Sequence, residues 1–284
     1  MKIDIKLLVC CHREDMVPEL PLLVPVQVGA ALADRRFPRF RYDDDGENIS
    51  HKNRSYCELT AIYWAWKNIS ADHYGLFHYR RYLYPSVNSR RPYIIESAPA
   101  PDVLERLNYA EFENTIKEYD MVVPIGENMH ISVYDHYARA KHHRIRDLDI
   151  IKQIIAEKHP EMTDAMNTYL SGTISYFGNM FIMRRAVFHE YCEWLFSVLE
   201  EYDAIADVSD YDAQESRVDG YLAERLLGIY YTFRRSHLKT TELPRVLFVP
   251  DKTERNRKKL LNILLPPGSK RRSIIKRMAN RTND

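Results

Sequence analysis

The sequence predicts an α/β fold in which a mainly parallel sheet is flanked by helices. Three observations carry this. Short apolar runs alternate along the chain with segments of helical period, the pattern of strands joined by crossover helices. Residues 52–81, KNRSYCELTAIYWAWKNISADHYGLFHYRR, pass from a helix through a turn into a buried strand. A hydrophobic content of 45% over 284 residues is ample for a core, and the length fits one large domain, or one domain with an appendage.

Taken in order, Lys2–Cys11 alternates and then runs apolar. It reads as the first buried strand, and its early charges argue against a leader peptide. Cys11-His12-Arg13 follow at its C-terminal end. Val24–Leu32 is short and apolar, and its Gly29, Ala30 and Ala31 allow close backbone approach by a ligand or by a packed helix or loop. Asp43-Asp44-Asp45-Gly46 reads as a solvated turn. Ser55 with Glu58 three residues on has the form of a capping box, which assigns Glu58 to helix capping. Leu59, Ile62, Tyr63, Trp66 and Ile69 supply an apolar face of period 3.6. Asp72-His73 then turns the chain into a strand over Tyr74–Tyr79.

Residues 85–101 hold Pro85, Pro92, Pro99 and Pro101 and read as an exposed excursion of the kind that forms functional loops. Asn108–Glu118 is a helix and Asp120–Pro124 a strand, while His130–His143 is irregular and polar. Asp147–Lys158 and Glu161–Tyr169 are helices separated by Pro160. Tyr176–Met183 is a strand, Ala186–Glu201 and Tyr221–Phe233 are helices, and Val246–Val249 is a last strand. Trp64, Trp66 and Trp194 fit packing positions. Neither internal repeats nor low-complexity segments are present.

The net charge of +1 conceals an asymmetry. Residues 252–284 carry 11 lysines and arginines against Glu254 and Asp284, so the rest of the chain is acidic. An acidic globule with a basic tail does not fit a protein that binds nucleic acid over its surface. The four cysteines, Cys10, Cys11, Cys57 and Cys192, form no CxxC pair, which fits a reduced cytoplasmic protein. No stretch reaches the ~20 apolar residues that span a bilayer.

His78-Tyr79-Arg80-Arg81 stand at the C-terminal end of a buried strand, where open α/β sheets place ligands. Two adjacent guanidiniums there suit a phosphate or diphosphate gripped bidentately. The alternatives are a structural ion pair for the arginines and a core histidine for His78.

ELTAIYWAWKN followed by GLFHYRRY resembles the DUF4422 proteins encoded with capsular and exopolysaccharide genes. PVQVGAA (25–31), DGENISHKN (45–53), YDMVVP (119–124), GNMFIMRR (178–185), EYCEWLF (190–196) and GYLAERLL (220–227) extend the resemblance over roughly residues 3–235. It implies a GT-A-like, Rossmann-like glycosyltransferase domain over 1–250 with a basic tail at 251–284. Some members of the family transfer galactofuranose from its UDP donor to surface polysaccharide.

Such a transfer must hold the nucleotide, stabilise the leaving diphosphate and, with inversion, deprotonate the acceptor by a carboxylate. The strand-end position matched to the metal-binding DxD of GT-A enzymes reads His78-Tyr79-Arg80-Arg81. Permanently charged arginines can replace the metal, so no cofactor is expected, with Mn2+ or Mg2+ as the alternative. Donor contacts are expected from His12, Gln27, Gly29, Lys52, Asn53, Tyr56, His78, Arg80 and Arg81, and an acceptor contact from Asn179. The base is Glu224, or else Asp219. Against these stand a helix-end pair of Glu224 with Arg225 and an N-cap role for Asp219.

In residues 255–281, RNRKKLLNILLPPGSKRRSIIKRMANR, apolar residues are interleaved with positive charge around Pro266-Pro267-Gly268. Two short basic amphipathic helices would lie on an anionic leaflet, each base contributing about 1 kcal/mol. That implies a peripheral protein on the inner face of the plasma membrane, acting on a lipid-linked oligosaccharide. The tail also reads as a solvated charge run. The rivals are a non-catalytic membrane-bound adaptor of polysaccharide assembly and a metal-dependent hydrolase built on His136, His142 and His143, with Asp135 or Asp147.

Overall fold

A computed structural model describes residues 3–14, 17, 19–85, 91–97, 109–266, 269–272 and 274–275. In chain order the strands are β1 (Ile5–Cys11), β2 (Leu23–Gln27), β3 (Arg41–Tyr42), β4 (His73–His78), β5 (Arg81–Leu83), β6 (Tyr93–Ser97), β7 (Met121–Pro124), β8 (Glu127–Asn128), β9 (Ile174–Ser175), β10 (Phe181–Arg184), β11 (Thr240–Leu243) and β12 (Arg245–Val249). The helices are α1 (Asn53–Tyr56), α2 (Leu59–Asn68), α3 (Tyr109–Glu118), α4 (Val133–Ala138), α5 (Ile145–Lys158), α6 (Thr163–Ser171), α7 (Arg185–Ile205), α8 (Val218–Arg234) and α9 (Lys252–Leu264).

The main sheet runs β11-β7-β10-β4-β1-β2-β3. Its pairs are parallel except where β10 lies antiparallel between β4 and β7. The mainly parallel sheet read from the sequence is therefore present, with β10 reversed on this path and β5 antiparallel to both of its neighbours. Off this path β5 pairs with β4 and β12, and β12 pairs in parallel with β6. The chain leaves β1 toward β2 on one side and returns as β4 on the other, so the strand order reverses between β1 and β4. That reversal opens a crevice at the strands' C-terminal ends.

Period-two alternation divides the sheet between two cores. Leu8, Cys10, Tyr74, Leu76 and Phe181 face α2, α7 and α8. Leu7, Val9, Cys11, Phe77 and Ile182 face Phe112 and Ile116 of α3 and the β12 side chains Val246 and Phe248. Each fully buried Leu, Phe or Met contributes roughly 1.5–3 kcal/mol. The sheet is thus covered on both faces, and chemistry is left to its edges and ends. No helix among the described residues is long and apolar enough to cross a membrane.

Several local expectations are corrected. The capping box does not form: Ser55 Oγ donates instead to Asp219. Cys57, at φ 50° and ψ −126°, breaks α1 from α2, and Glu58 stands at the N-cap of α2 with no capping bond. Asp43 is no solvated turn residue. It is fully buried, accepting from Gly29 N at 2.7 Å, Ala30 N at 2.9 Å, Ser50 Oγ at 2.6 Å and Thr60 Oγ1 at 2.5 Å. Four donors on one carboxylate offset its desolvation.

The polar stretch 130–143 contains α4, capped by Ser132 Oγ accepting from Asp135 N at 2.9 Å. The excursion at 85–101 includes β6, while 86–90 and 98–101, with Pro99 and Pro101, lie outside the described residues. So do Lys2, Asn108 and most of the second tail helix. The strand expected at Tyr176–Met183 begins only at Phe181, because Gly178 (φ 91°) and Asn179 (φ 50°) bend the chain ahead of it.

Candidate functional site

A cavity of about 1170 Å3 lies in the crevice at the ends of β1, β2 and β4, where Cys10, His12, Val28, His78 and Tyr79 reach its wall. Opposite them stands the first part of α8, with Gly220, Tyr221 and Glu224. β4 hands the chain to β5 through a two-residue turn, with His78 paired to Arg81. The turn is pinned by Tyr79 N donating to Cys10 O at 3.2 Å.

The Tyr79 ring organises the positive end of this cavity. Arg13 lies over it at 4.9 Å and Arg80 at 5.2 Å, and His12 meets it edge-on at 5.1 Å. Burial, then Arg13 and further neighbouring positive charge, pushes the His12 imidazole below its ordinary value, so it is neutral near pH 7. Arg54, Arg80, Arg81, Arg217 and Lys258 give the wall its positive charge. Glu58, Glu224 and Glu254 also line it, and the excess of positive charge favours an anionic ligand.

Gly178 and Asn179 tie the cavity floor together. Gly178 O accepts from His78 Nε2 at 2.6 Å; a carbonyl only accepts, so Nε2 carries the proton. Gly178 N donates to Glu224 Oε1 at 2.7 Å, and Glu224 Oε2 accepts from Arg225 Nη1 at 2.8 Å. The Arg225 side chain is 1% exposed and lies over the rings of Tyr137 and Phe177. Its buried charge is balanced by Glu224, so the pair expected as the structural alternative is formed. Glu58 completes the floor, accepting from Asn179 Nδ2 at 2.8 Å, with His78 Nε2 4.0 Å away. Capping was the wrong role for Glu58, which faces the cavity.

Of the residues expected at the site, His12, Asn53, His78, Arg80, Arg81 and Glu224 line this cavity. The others serve the scaffold around it. Gln27 is buried and staples a loop, donating to Arg35 O and accepting from Phe37 N, each at 2.8 Å. Gly29 adopts φ 67°, and a Cβ there would come within 2.6 Å of Asn53 Oδ1. Lys52 and Tyr56 both bind Asp203, at 2.7 and 2.8 Å, which ties α1 to α7. Asp219 is 1% exposed, bound by Ser55, and pushed up to about 7 by burial and then by Asp203. It sits inside the first turn of α8 rather than at its N-cap. Asn179 is buried beneath the floor, where it also donates to Gly220 O at 3.1 Å.

The histidines do not converge. His143 is sandwiched between Tyr137 and Tyr221, each 4.4 Å away, and burial pushes it down to about 3. His136 packs on Phe177. Among the described residues no group of three His, Cys, Asp or Glu side chains is arranged to hold a metal ion.

The sequence reading missed Arg54 and Arg217, which reach the cavity, and Gly178, whose Gly-Asn pair ahead of an apolar run was the available turn signal. A second cavity, of about 570 Å3, adjoins the first and shares Arg81, Gly178, Glu224, Leu247 and Lys258 with it.

The sheet order, the reversed β10 and the crevice at the switch point define a GT-A-like α/β protein. The chain belongs to the family described as domain of unknown function DUF4422, whose model matches residues 6–235. It is similar to a solved structure named WbbM bifunctional glycosyltransferase, in its apo form. The match has 31% identity and a TM-score of 0.82 over 86% of this chain, which spans 45% of that longer one. No curated protein matches the chain.

Proposed function

We propose that the protein is a glycosyltransferase that moves a sugar from a UDP donor onto a lipid-linked surface polysaccharide. Galactofuranose is the sugar that the family resemblance suggests. The observation that carries the reading is the basic cavity at the switch point, entered by the Arg80-Arg81 turn. In the proposed reaction the guanidiniums of Arg80 and Arg81 hold the diphosphate and stabilise the charge that develops on it as the glycosidic bond breaks. Neutral His12 adds a hydrogen bond without a competing charge. Glu224 stands where the two cavities meet and takes the proton of the acceptor hydroxyl, with inversion at the anomeric carbon. Arg225 pairs with Glu224 and fixes its orientation, and each carboxylate oxygen retains a second lone pair. No step requires a metal.

The likeness to a named glycosyltransferase over most of this chain supports the reading. The exposed Leu260, Ile263 and Leu264 beside the basic residues of α9 support peripheral attachment to an anionic inner leaflet.

Calorimetric titration with UDP, in chelator and again with Mn2+, tests the donor site. Binding is expected to survive chelator and to weaken at least about tenfold, or 1.4 kcal/mol, in Arg80→Ala/Arg81→Ala. Binding seen only with Mn2+ would overturn the metal-free diphosphate site, and no binding in either condition would overturn the UDP donor.

A further inference from the structure

The second cavity has a wall from a part of the chain with no catalytic role so far. Tyr93 of β6 and Phe177 give it aromatic faces, and Arg245 and Glu127 give it an ion pair. Arg245 Nη1 also donates to Phe177 O at 3.3 Å. Its Nε is buried with no acceptor among the described residues. The remaining wall is the C-terminal helix, through Lys258, Leu261, Asn262 and the following Arg272.

That helix is docked. Lys259 and Arg255 pair with Glu96 of β6 at 3.1 and 3.6 Å. Tyr93 OH donates to Asn262 Oδ1 at 3.3 Å. Arg272 folds back to donate to Asn262 Oδ1 at 2.6 Å and to Leu265 O at 3.0 Å. At 3.6 residues per turn, Lys258, Leu261 and Asn262 share one face, and Leu260, Ile263 and Leu264 share the opposite one.

We propose that this cavity binds the saccharide end of the acceptor and that α9 is a wall of that site. The inference rests on the glycosyltransferase reading and assigns its second substrate. The cavity opens onto Glu224 and Arg81, so a sugar held there presents a hydroxyl where the donor's anomeric carbon arrives. Its lining suits a saccharide. Aromatic faces take the C–H face of a pyranose or furanose ring, a guanidinium donates to ring hydroxyls, and a carboxylate accepts from them. The volume falls within the range of ligand pockets.

Saturation-transfer NMR on the full chain tests this, with octyl β-galactoside, octyl β-glucoside and octyl α-mannoside as probes below their micellar concentrations. The same samples are titrated calorimetrically with UDP. Transfer to at least one sugar ring is expected for the unaltered protein. It should fall at least about fivefold in Tyr93→Leu and in Arg272→Ala, with UDP affinity held within about twofold. Arg272→Ala, half-buried and outside the sheet, guards against misfolding of the β6 variant. UDP binding without saccharide transfer in the unaltered protein, transfer that both variants leave intact, or joint loss of UDP and saccharide in both would each overturn the acceptor site. Saccharide transfer without UDP binding would instead count against the donor reading and leave this site standing.

Discussion

Glu224 connects groups far apart in sequence: a backbone amide ahead of β10, a buried guanidinium and two adjoining cavities. Glu224→Gln is expected to lower the turnover number by about 10²–10⁴, the usual worth of a general base, with UDP binding retained. Glu58→Gln keeps an oxygen for Asn179 and should cost less than about tenfold; were Glu58 the base, the order of the two losses would reverse. Glu224→Ala strands the Arg225 charge and should destabilise the fold by about 3–5 kcal/mol, read from urea denaturation.

Asp219 carries a pH prediction. Its folded pKa is about 7 against an ordinary 3.8, so between those values the fold holds a proton that the unfolded chain has released. Stability contributed by that proton is complete below about 4 and is lost as pH rises through 7. Asp219→Asn should therefore flatten the fall in urea midpoint between pH 4 and 7, and an unchanged slope would count against the buried carboxylate as its source. His143 has the opposite sign: with its folded pKa at about 3, its contribution is lost as pH falls from 6.5 toward 3.

At the scale of elements, the helices and buried strands were legible because their signal is local. The ten residues of α2 and the twenty-one of α7 repeat apolar positions at helical period, and β1 and β4 are near-continuous apolar runs. What escaped was set from a distance. Cys57 breaks the first helix where Gly220 of α8 packs against it; a Cβ on that glycine would lie 3.2 Å from Cys57 Sγ. β5 and β6 are short strands that form only once they pair with β12. The same limit applies to the site. A matching segment brings a residue to the right neighbourhood, as for Asn53 and Arg80, without fixing which way its side chain points, as Gln27, Lys52 and Tyr56 show. Gly29→Ala is expected to cost more than about 1 kcal/mol in thermal unfolding, because it puts a Cβ at positive φ against Asn53.

For the whole molecule, the charge asymmetry resolves into two arginine-bearing regions, one around the Tyr79 turn and one on α9. Leu260 (57% exposed), Ile263 (74%) and Leu264 (63%) form an apolar row on the side of α9 away from the second cavity. Replacing the three by Ser is expected to reduce co-sedimentation with phosphatidylglycerol vesicles several-fold and to leave UDP affinity unchanged. Equal sedimentation of both proteins would remove the leaflet from the proposal.

A single helix separating that apolar row from the second cavity also sets a length. With α9 lying on a leaflet, the cavity stands about one helix diameter, roughly 10–12 Å, above the lipid surface. A chain growing from a lipid reaches that height after its first few sugars. The protein would then meet its acceptor early in polymer growth and lose reach of the free end as the chain lengthens, unless that end folds back toward the membrane.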